Sequence, residues 1–288
     1  MAITAKQVKE LRDKTGAGMM DCKKALVEAD GNFDKAIEVL RKKGAAVAAK
    51  RAERSAKEGI VLTEILDNNS KGIILEINCE TDFVAKSDDF VSFANSVMNT
   101  IVEQNPITLN ELLEAENEGH TIKDALLDIT GKIGEKIEIS RFAIENAENG
   151  VVVDYVHHGS KLGVLITVDN ANDKGDEFIP TIKDFAMQVA AMKPIYVYRE
   201  EVPTEIIEKE KEIYKEVARK EGKPEQILER IAEGKLNKYF QENCLFEQTS
   251  IKDNTKTVGT IMKELNDKFS TDAKIRLFHR FHISDENK

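Results

Sequence analysis

The sequence predicts an α+β protein in four parts. An N-terminal three-helix bundle with a helical connector occupies 1–56. A core of two related subdomains, each a small antiparallel sheet with helices on one face, takes 57–148 and then 149–200 together with 236–288. An antiparallel helical hairpin is inserted at 201–235. Three observations predict this. Apolar residues recur at helical spacing near the N-terminus and again through 201–235. In between, the period drops to two in paired runs separated by polar turns. The order of two strands followed by a helix occurs twice.

In the head, Thr4 is placed to cap a helix carrying Val8 and Leu11, which Gly16 and Gly18 stop. A second helix runs from Met19 to Ala29, with Met19, Cys22, Leu26 and Ala29 at helical spacing. Asn32 or Asp34 caps a third, with Ala36, Ile37 and Leu40 inward and Gly44 closing it. The following "AAVAAKRAERSAKEG" is alanine-rich, charged and free of proline, and reads as a separate helical connector.

Past Gly59, "GIVLTEILDNNSKGIILEIN" gives two strands joined by a turn at Asp67–Ser70, the second reaching about Cys79. A helix follows with Phe90, Phe93, Ala94, Val97 and Ile101 on one face, and "EKIEISRFAIENA" returns to alternation. The second copy has strands in "GVVVDYVHHGSKLGVLITV" and a helix in "FIPTIKDFAMQVAAMK". Gly59 and Gly150 open the two hairpins, and Gly72 and Gly163 stand at matching places on their second strands. In the insertion, Pro203 and Pro224 start two helices and Gly222 separates them. Ile206, Ile213 and Val217 form a narrow stripe on the first, and Ile227, Leu228 and Ile231 on the second; Glu205–Lys209 and Glu216–Lys220 stand at the favourable four-residue offset. "CLFEQTSI" reads as a return to sheet, "TVGTIMKELND" as a helix and "AKIRLFHRFHI" as a last strand.

Composition narrows the chemistry. The 288 residues are 41% hydrophobic and 33% charged, enough for a sizeable core. No apolar run approaches the roughly 18 residues of a membrane span, and "MAITAKQVKELRDKTG" lacks a signal-peptide core. Cys22, Cys79 and Cys244 lie far apart with no C-x-x-C pair, which argues against a disulfide framework or zinc site and for a reducing, cytoplasmic compartment. Residues 1–57 carry 14 Lys+Arg against 8 Asp+Glu, a net of +6, and the remainder carries −16. A basic head on an acidic body leaves an RNA- or ribosome-binding protein as the alternative function. The head nevertheless lacks the aromatic platforms of single-strand binders, and no direct nucleic-acid contact is expected.

Signatures of catalysis are missing. "TGAGMM" lacks the Lys-Ser/Thr and the preceding strand of a phosphate loop, and neither a nucleophile elbow nor H-E-x-x-H occurs. His157 and His158 are adjacent; on a strand they point to opposite faces and do not chelate one ion. A binding protein without enzymatic activity, metal or cofactor is expected. One feature invites a functional reading. In "ILEINCETDFVAKSDDF" the strand ends on Thr81, Asp82 and Phe83, a polar, an acidic and an aromatic residue together on a turn. As purely structural residues, Phe83 caps its own sheet from the core and Asp82 caps a helix.

"LRDKTGAGMMDCKKAL" (Leu11–Leu26) and "NCETDFVAKSDDF" (Asn78–Phe90) closely resemble the two most recognisable blocks of the bacterial-type elongation factor Ts family, in the right order and at the right separation. "YVHHGSKLGVLI" and "KTVGTIMKEL" resemble later family segments, so the resemblance covers nearly the whole chain. It implies a guanine nucleotide exchange factor for the translational GTPase elongation factor Tu. It further implies that Thr81, Asp82, Phe83 and Val84 form the loop that disturbs the partner's magnesium site. Met19 and Met20 would dock on the partner's nucleotide-binding domain, and the "YVHHG" segment would make a further contact. A doubled histidine stands where the family more usually has one followed by a small residue, and His157 is taken as the contact. A homodimer in the complex, through the hairpin or otherwise, is left open. Some relatives carry a further C-terminal helical module; because this chain stops soon after "RFHISDENK", contacts of that module are not expected.

Overall fold

The computed structural model describes residues 3–117, 119–171 and 175–285. In the head, helices α1 (Ala5–Thr15), α2 (Met19–Glu28) and α3 (Phe33–Arg51) close on Val8, Leu11, Cys22, Ala25, Leu26 and Ala36. Thr4 and Gln7 form a reciprocal capping box on α1, Gly16 ends it at a φ of 67°, and the Asn32 side chain caps α3.

Gly44 does not close the third helix. α3 continues through it to Arg51, so the first part of the expected connector, 45–51, is the end of the same helix, and residues 52–57 are irregular. The glycine answers to close approach instead. A Cβ on Gly44 would stand 2.5 Å from the Leu127 carbonyl oxygen on α7 (Ile122–Ile133), where Gly131 faces it. Two backbones thus pack in direct contact, and Arg41 adds ion pairs to Asp124 and Asp128 beside them.

The core holds two three-stranded antiparallel sheets. In the first, β1 (Glu58–Leu66) pairs with β2 (Lys71–Cys79) and β2 with β5 (Ile137–Asn146). In the second, β6 (Val151–Val156) pairs with β7 (Leu162–Asp169) and β7 with β8 (Lys274–His282). Ile73, Leu75 and Ile77 of the first sheet bury against Phe90, Phe93, Val97 and Ile101 of α5 (Asp88–Gln104) and Ile129 of α7. Fully burying one such phenylalanine contributes about 1.5–3 kcal/mol. Val164 and Ile166 of the second sheet meet Phe178, Ile182 and Val189 of α8 (Gly175–Met192) and Met262 of α11 (Val258–Phe269).

The opposite faces of the sheets are buried as well, which the alternation in β2 did not indicate. Val61 and Ile74 pack on Val152, Leu165 and Phe281 of the second sheet and on Ile283 just after it. Gly72 and Gly163 lie in this seam: a Cβ on the first would stand 2.5 Å from Val152 Cγ1, and on the second 2.5 Å from Val61 Cγ1. The paired glycines let the two sheets meet at matched positions. The core is therefore four layers, helix, sheet, sheet, helix.

Between α5 and α7 lie a short helix α6 (Leu109–Glu114) and a two-stranded ribbon of β3 (Glu116–Asn117) and β4 (His120–Thr121). The hairpin consists of α9 (Thr204–Lys220) and α10 (Glu225–Asn243). α10 continues past residue 235 because Leu236 and Phe240 remain buried, with Val202 and Cys244, at the hairpin's base. The seam keeps Ile206, Leu228 and Ile231 of the expected stripe but shifts by one residue at its other positions. Ala218 is buried and Ile207 and Tyr214 half-buried on α9, while Ile213 and Val217 are exposed; on α10, Leu228 and Ala232 are buried and Ile227 exposed. Small Ala218 and Ala232 let the helices approach, and the flank is crossed by Lys215–Glu229 (2.6 Å) and Arg219–Glu225 (2.6 Å) ion pairs. "CLFEQTSI" is not a strand. Leu245–Glu247 form a 3-10 turn flanked by isolated bridges Tyr196–Cys244 and Thr249–Thr257.

Candidate functional site

β2 ends at Cys79, and the chain turns at Thr81 into α4, a single helical turn over Asp82–Ala85. Thr81, rather than Asp82, is the N-cap: its hydroxyl oxygen accepts the Val84 N–H at 3.4 Å. Asp82 is the first helical residue, where a negative charge suits the exposed N–H groups. Its carboxyl is held below the ordinary carboxylate range by the Lys86 ammonium, 2.9 Å away, with a further contribution from the charge of Lys161.

On this turn Ala85 is buried and Val84 half-buried, and Phe83 points out, 83% exposed. Phe83 is not a core residue capping its sheet. Leaving it in water forgoes the stabilisation that Phe90, seven residues later on α5, gains in full.

The turn is held from outside. Thr81 donates its N–H to Glu135 Oε2 (3.1 Å) and its hydroxyl to Glu135 Oε1 (2.9 Å). Glu80, one residue earlier, accepts the Lys136 N–H (2.7 Å) and the guanidiniums of Arg51 (2.6 Å), the last residue of α3, and Arg54 (3.0 Å), just beyond it. Partial burial pushes the Glu80 carboxyl up, but the Lys136 amide and the two arginines outweigh it and bring it down to about 2.

A groove of about 590 Å³ separates head from core here. Arg12 and Gly16–Met19 line one side, Phe83, Val84 and Ser87 the other, with Asp89, Lys132 and Ile133 completing it. Lys132 pairs with Asp89 at 2.7 Å and lies directly beneath Gly16. Met19 and Met20, at 44% and 62% exposure, start α2. The structure thus brings Met19 and Phe83 to one groove, with Met20 exposed next to it in sequence.

His157 does not line the groove. Neither it nor His158 lies on a strand, since β6 ends at Val156; both are exposed in the turn to β7. His157 Nδ1 sits 2.8 Å from the Tyr155 hydroxyl, which ties down its ring, whereas the side chain of His158 is exposed. The turn reaches the first sheet through the Val61 N–H, donated to the Ser160 carbonyl at 2.6 Å, and through Lys161, 2.6 Å from Glu58. Because Lys161 also acts on Asp82, the second subdomain contributes positive charge beside α4.

Sequence reasoning missed Glu80, Glu135, Arg51, Arg54 and Lys161. Glu80 was inside the quoted block, but its partners and those of Glu135 lie far along the chain, and no local spacing marks such a contact.

A basic head latched to a layered core, with an aromatic held out on a capped turn, is here the scaffold of a translation elongation factor, as comparison with known proteins establishes. Residues 80–285 match the family described as "Elongation factor TS". Over 285 residues the chain is 48% identical to "Elongation factor Ts" of Chlorobium phaeobacteroides (strain BS1), covering 98% of each chain. Over 286 residues it is 49% identical to "Elongation factor Ts" of Chlorobaculum parvum (strain DSM 263 / NCIMB 8327), again covering 98% of each. The protein of that name from Clostridium botulinum (strain ATCC 19397 / Type A) is 44% identical, covering 97% of this chain and 92% of the relative. The chain belongs to the elongation factor Ts family. Among the described residues, no helix is long and apolar enough to cross a membrane.

Proposed function

We propose that this chain binds the GTPase elongation factor Tu in the cytoplasm and promotes GDP release without chemical catalysis of its own. The observation that carries the reading is Phe83, an exposed aromatic fixed on a capped one-turn helix beside the carboxylate of Asp82. In a GTPase the magnesium ion and phosphates are the strongest local charges. An acidic residue and an aromatic wedge brought against that site weaken metal and nucleotide together. Thr81 and Val84 set the turn, Met19 and Met20 dock the head, and His157 makes a second contact from the other subdomain.

Exchange of this kind is negative coupling between factor and nucleotide, and the coupling is reciprocal. GDP must therefore weaken binding of this chain by the same factor as this chain weakens GDP. The test is to mix the purified chain with GDP-loaded elongation factor Tu, follow fluorescent GDP release, and titrate the factor with and without GDP. Accelerated release and matched coupling support the reading; release at the intrinsic rate overturns it. The RNA-binding alternative is not favoured by the head's cations, several of which are engaged with carboxylates: Arg41 with Asp124 and Asp128, Lys43 with Asp21, and Arg51 and Arg54 with Glu80.

A further inference from the structure

We infer that Glu135 is a positioning residue for nucleotide release, acting on the partner only through Phe83 by fixing the start of α4; this rests on the reading of α4 as the wedge. A single helical turn is not stable alone, since nucleation costs more than one turn's hydrogen bonds return. α4 has four residues; Val84 and Ala85 pack on the core at its far end, while its largest side chain, Phe83, is exposed and leaves the start of the turn unsupported by packing. Its pose must come from outside.

Glu135 supplies it with both carboxylate oxygens, one to the Thr81 N–H and one to the Thr81 hydroxyl. That second bond also orients the hydroxyl so that its oxygen faces the Val84 N–H it caps. The neighbouring residues answer in the opposite direction, Glu80 accepting the Lys136 N–H. Two adjacent residues on each side of the gap thus exchange side-chain-to-backbone bonds, and the loop before β5 and the start of α4 become one rigid piece. Arg51 and Arg54 join α3 to the same piece through Glu80. The head and Phe83 are thereby held at a fixed mutual offset across the groove. Bonds to a charged acceptor are stronger than neutral ones and hold geometry as well as energy. Glu135 lines none of the groove, so truncating it leaves the docking surface intact.

The experiment is stopped-flow release of fluorescent GDP from elongation factor Tu, run over factor concentration with wild type, Glu135→Ala, Phe83→Ala and the double variant. Losing a charge-assisted pair is expected to lower the saturating rate for Glu135→Ala about tenfold, with the half-saturating concentration moving less than about threefold. In the Phe83→Ala background the same change is expected to cost less than about twofold, since coupled residues are not additive. Independently of any partner, exchange of the Thr81 amide is expected to accelerate about tenfold while the strand amides stay protected. Equal losses in both backgrounds, or an unchanged Thr81 amide, overturn the inference and leave the wedge reading standing. A Phe83→Ala factor with the wild-type rate overturns the wedge reading and the inference with it. If Glu135→Ala does not fold, Glu135→Gln keeps the volume and one acceptor; it is expected to lose about threefold, and again nothing without Phe83.

Discussion

Gly44 of α3 and Gly131 of α7 meet backbone to backbone: a Cβ on Gly131 would stand 2.9 Å from the Gly44 Cα, and one on Gly44 2.5 Å from the Leu127 carbonyl oxygen. This contact seats the head on the core, and with it the groove that Met19 and Phe83 share.

Gly44→Ala therefore separates two effects. Inside a helix, alanine in place of glycine favours the helical state by about 1 kcal/mol. At the contact, backbone has to move, and overpacking costs about 1–3 kcal/mol. The expected outcome is net loss of stability in thermal unfolding, with residues 52–57 cut more readily by limited proteolysis. Unchanged melting and unchanged cleavage would show that the helices have room to spare.

Phe83→Ala is expected to leave stability within about 0.5 kcal/mol of wild type, as for an exposed position. Factor-stimulated GDP release should fall at subsaturating factor. Removing one phenylalanine from an interface costs about 1.5–3 kcal/mol, equivalent to about 10- to 150-fold in an equilibrium. Circular dichroism serves as the folding control. Asp82→Ala should do less, most visibly when magnesium is varied.

Glu80 makes a pH-dependent contribution whose sign follows from its lowered carboxyl. Its value falls from an ordinary 4.5 to about 2, so the folded protein binds its proton less readily than the unfolded chain. The stabilisation is present above about pH 4.5 and is lost as pH drops through about 2, and with solvent screening it amounts to about 1 kcal/mol. Urea unfolding should show Glu80→Gln less stable than wild type by about this amount at neutral pH. The gap should close between pH 4.5 and 2. A gap constant with pH would assign the effect to packing instead.

Met20→Ala should weaken binding to elongation factor Tu about fivefold, the cost of truncating one moderate interface residue. The helical signal should remain, because Met20 contributes to no buried cluster of the head. Equal affinity in a titration would remove Met20 from the docking surface.

Replacing residues 211–230 with a short turn should leave cooperative unfolding of the remainder and most exchange activity. The base of the hairpin, with Val202, Leu236, Phe240 and Cys244, is retained in this variant. Broad, non-cooperative melting would show that the distal turns also support the core.

Elements whose signal is local were legible in the sequence. The caps at Thr4 and Asn32, the strands of both hairpins and the buried face of α5 all follow from spacing within a few residues. Signals with two physical meanings were misread. Gly44 stands equally for a helix end and for a close crossing, and only the position of α7 decides. The hairpin stripe holds at Ile206, Leu228 and Ile231 but fails at Ile213, Val217 and Ile227, because the helices approach through small Ala218 and Ala232. At the site, Thr81 to Val84 were visible as an unusual run, while Glu135 was not: its carboxylate gains its meaning only when β2 and β5 lie side by side.

The latched turn also bears on speed. A loop that orders only on contact must find its shape during each encounter, which slows capture and subtracts the ordering entropy from affinity. Because α4 is already capped and braced, Phe83 meets any partner as a preformed projection. A preformed projection of this kind is expected to associate in the range of about 10⁵–10⁷ M⁻¹s⁻¹ usual for rigid docking.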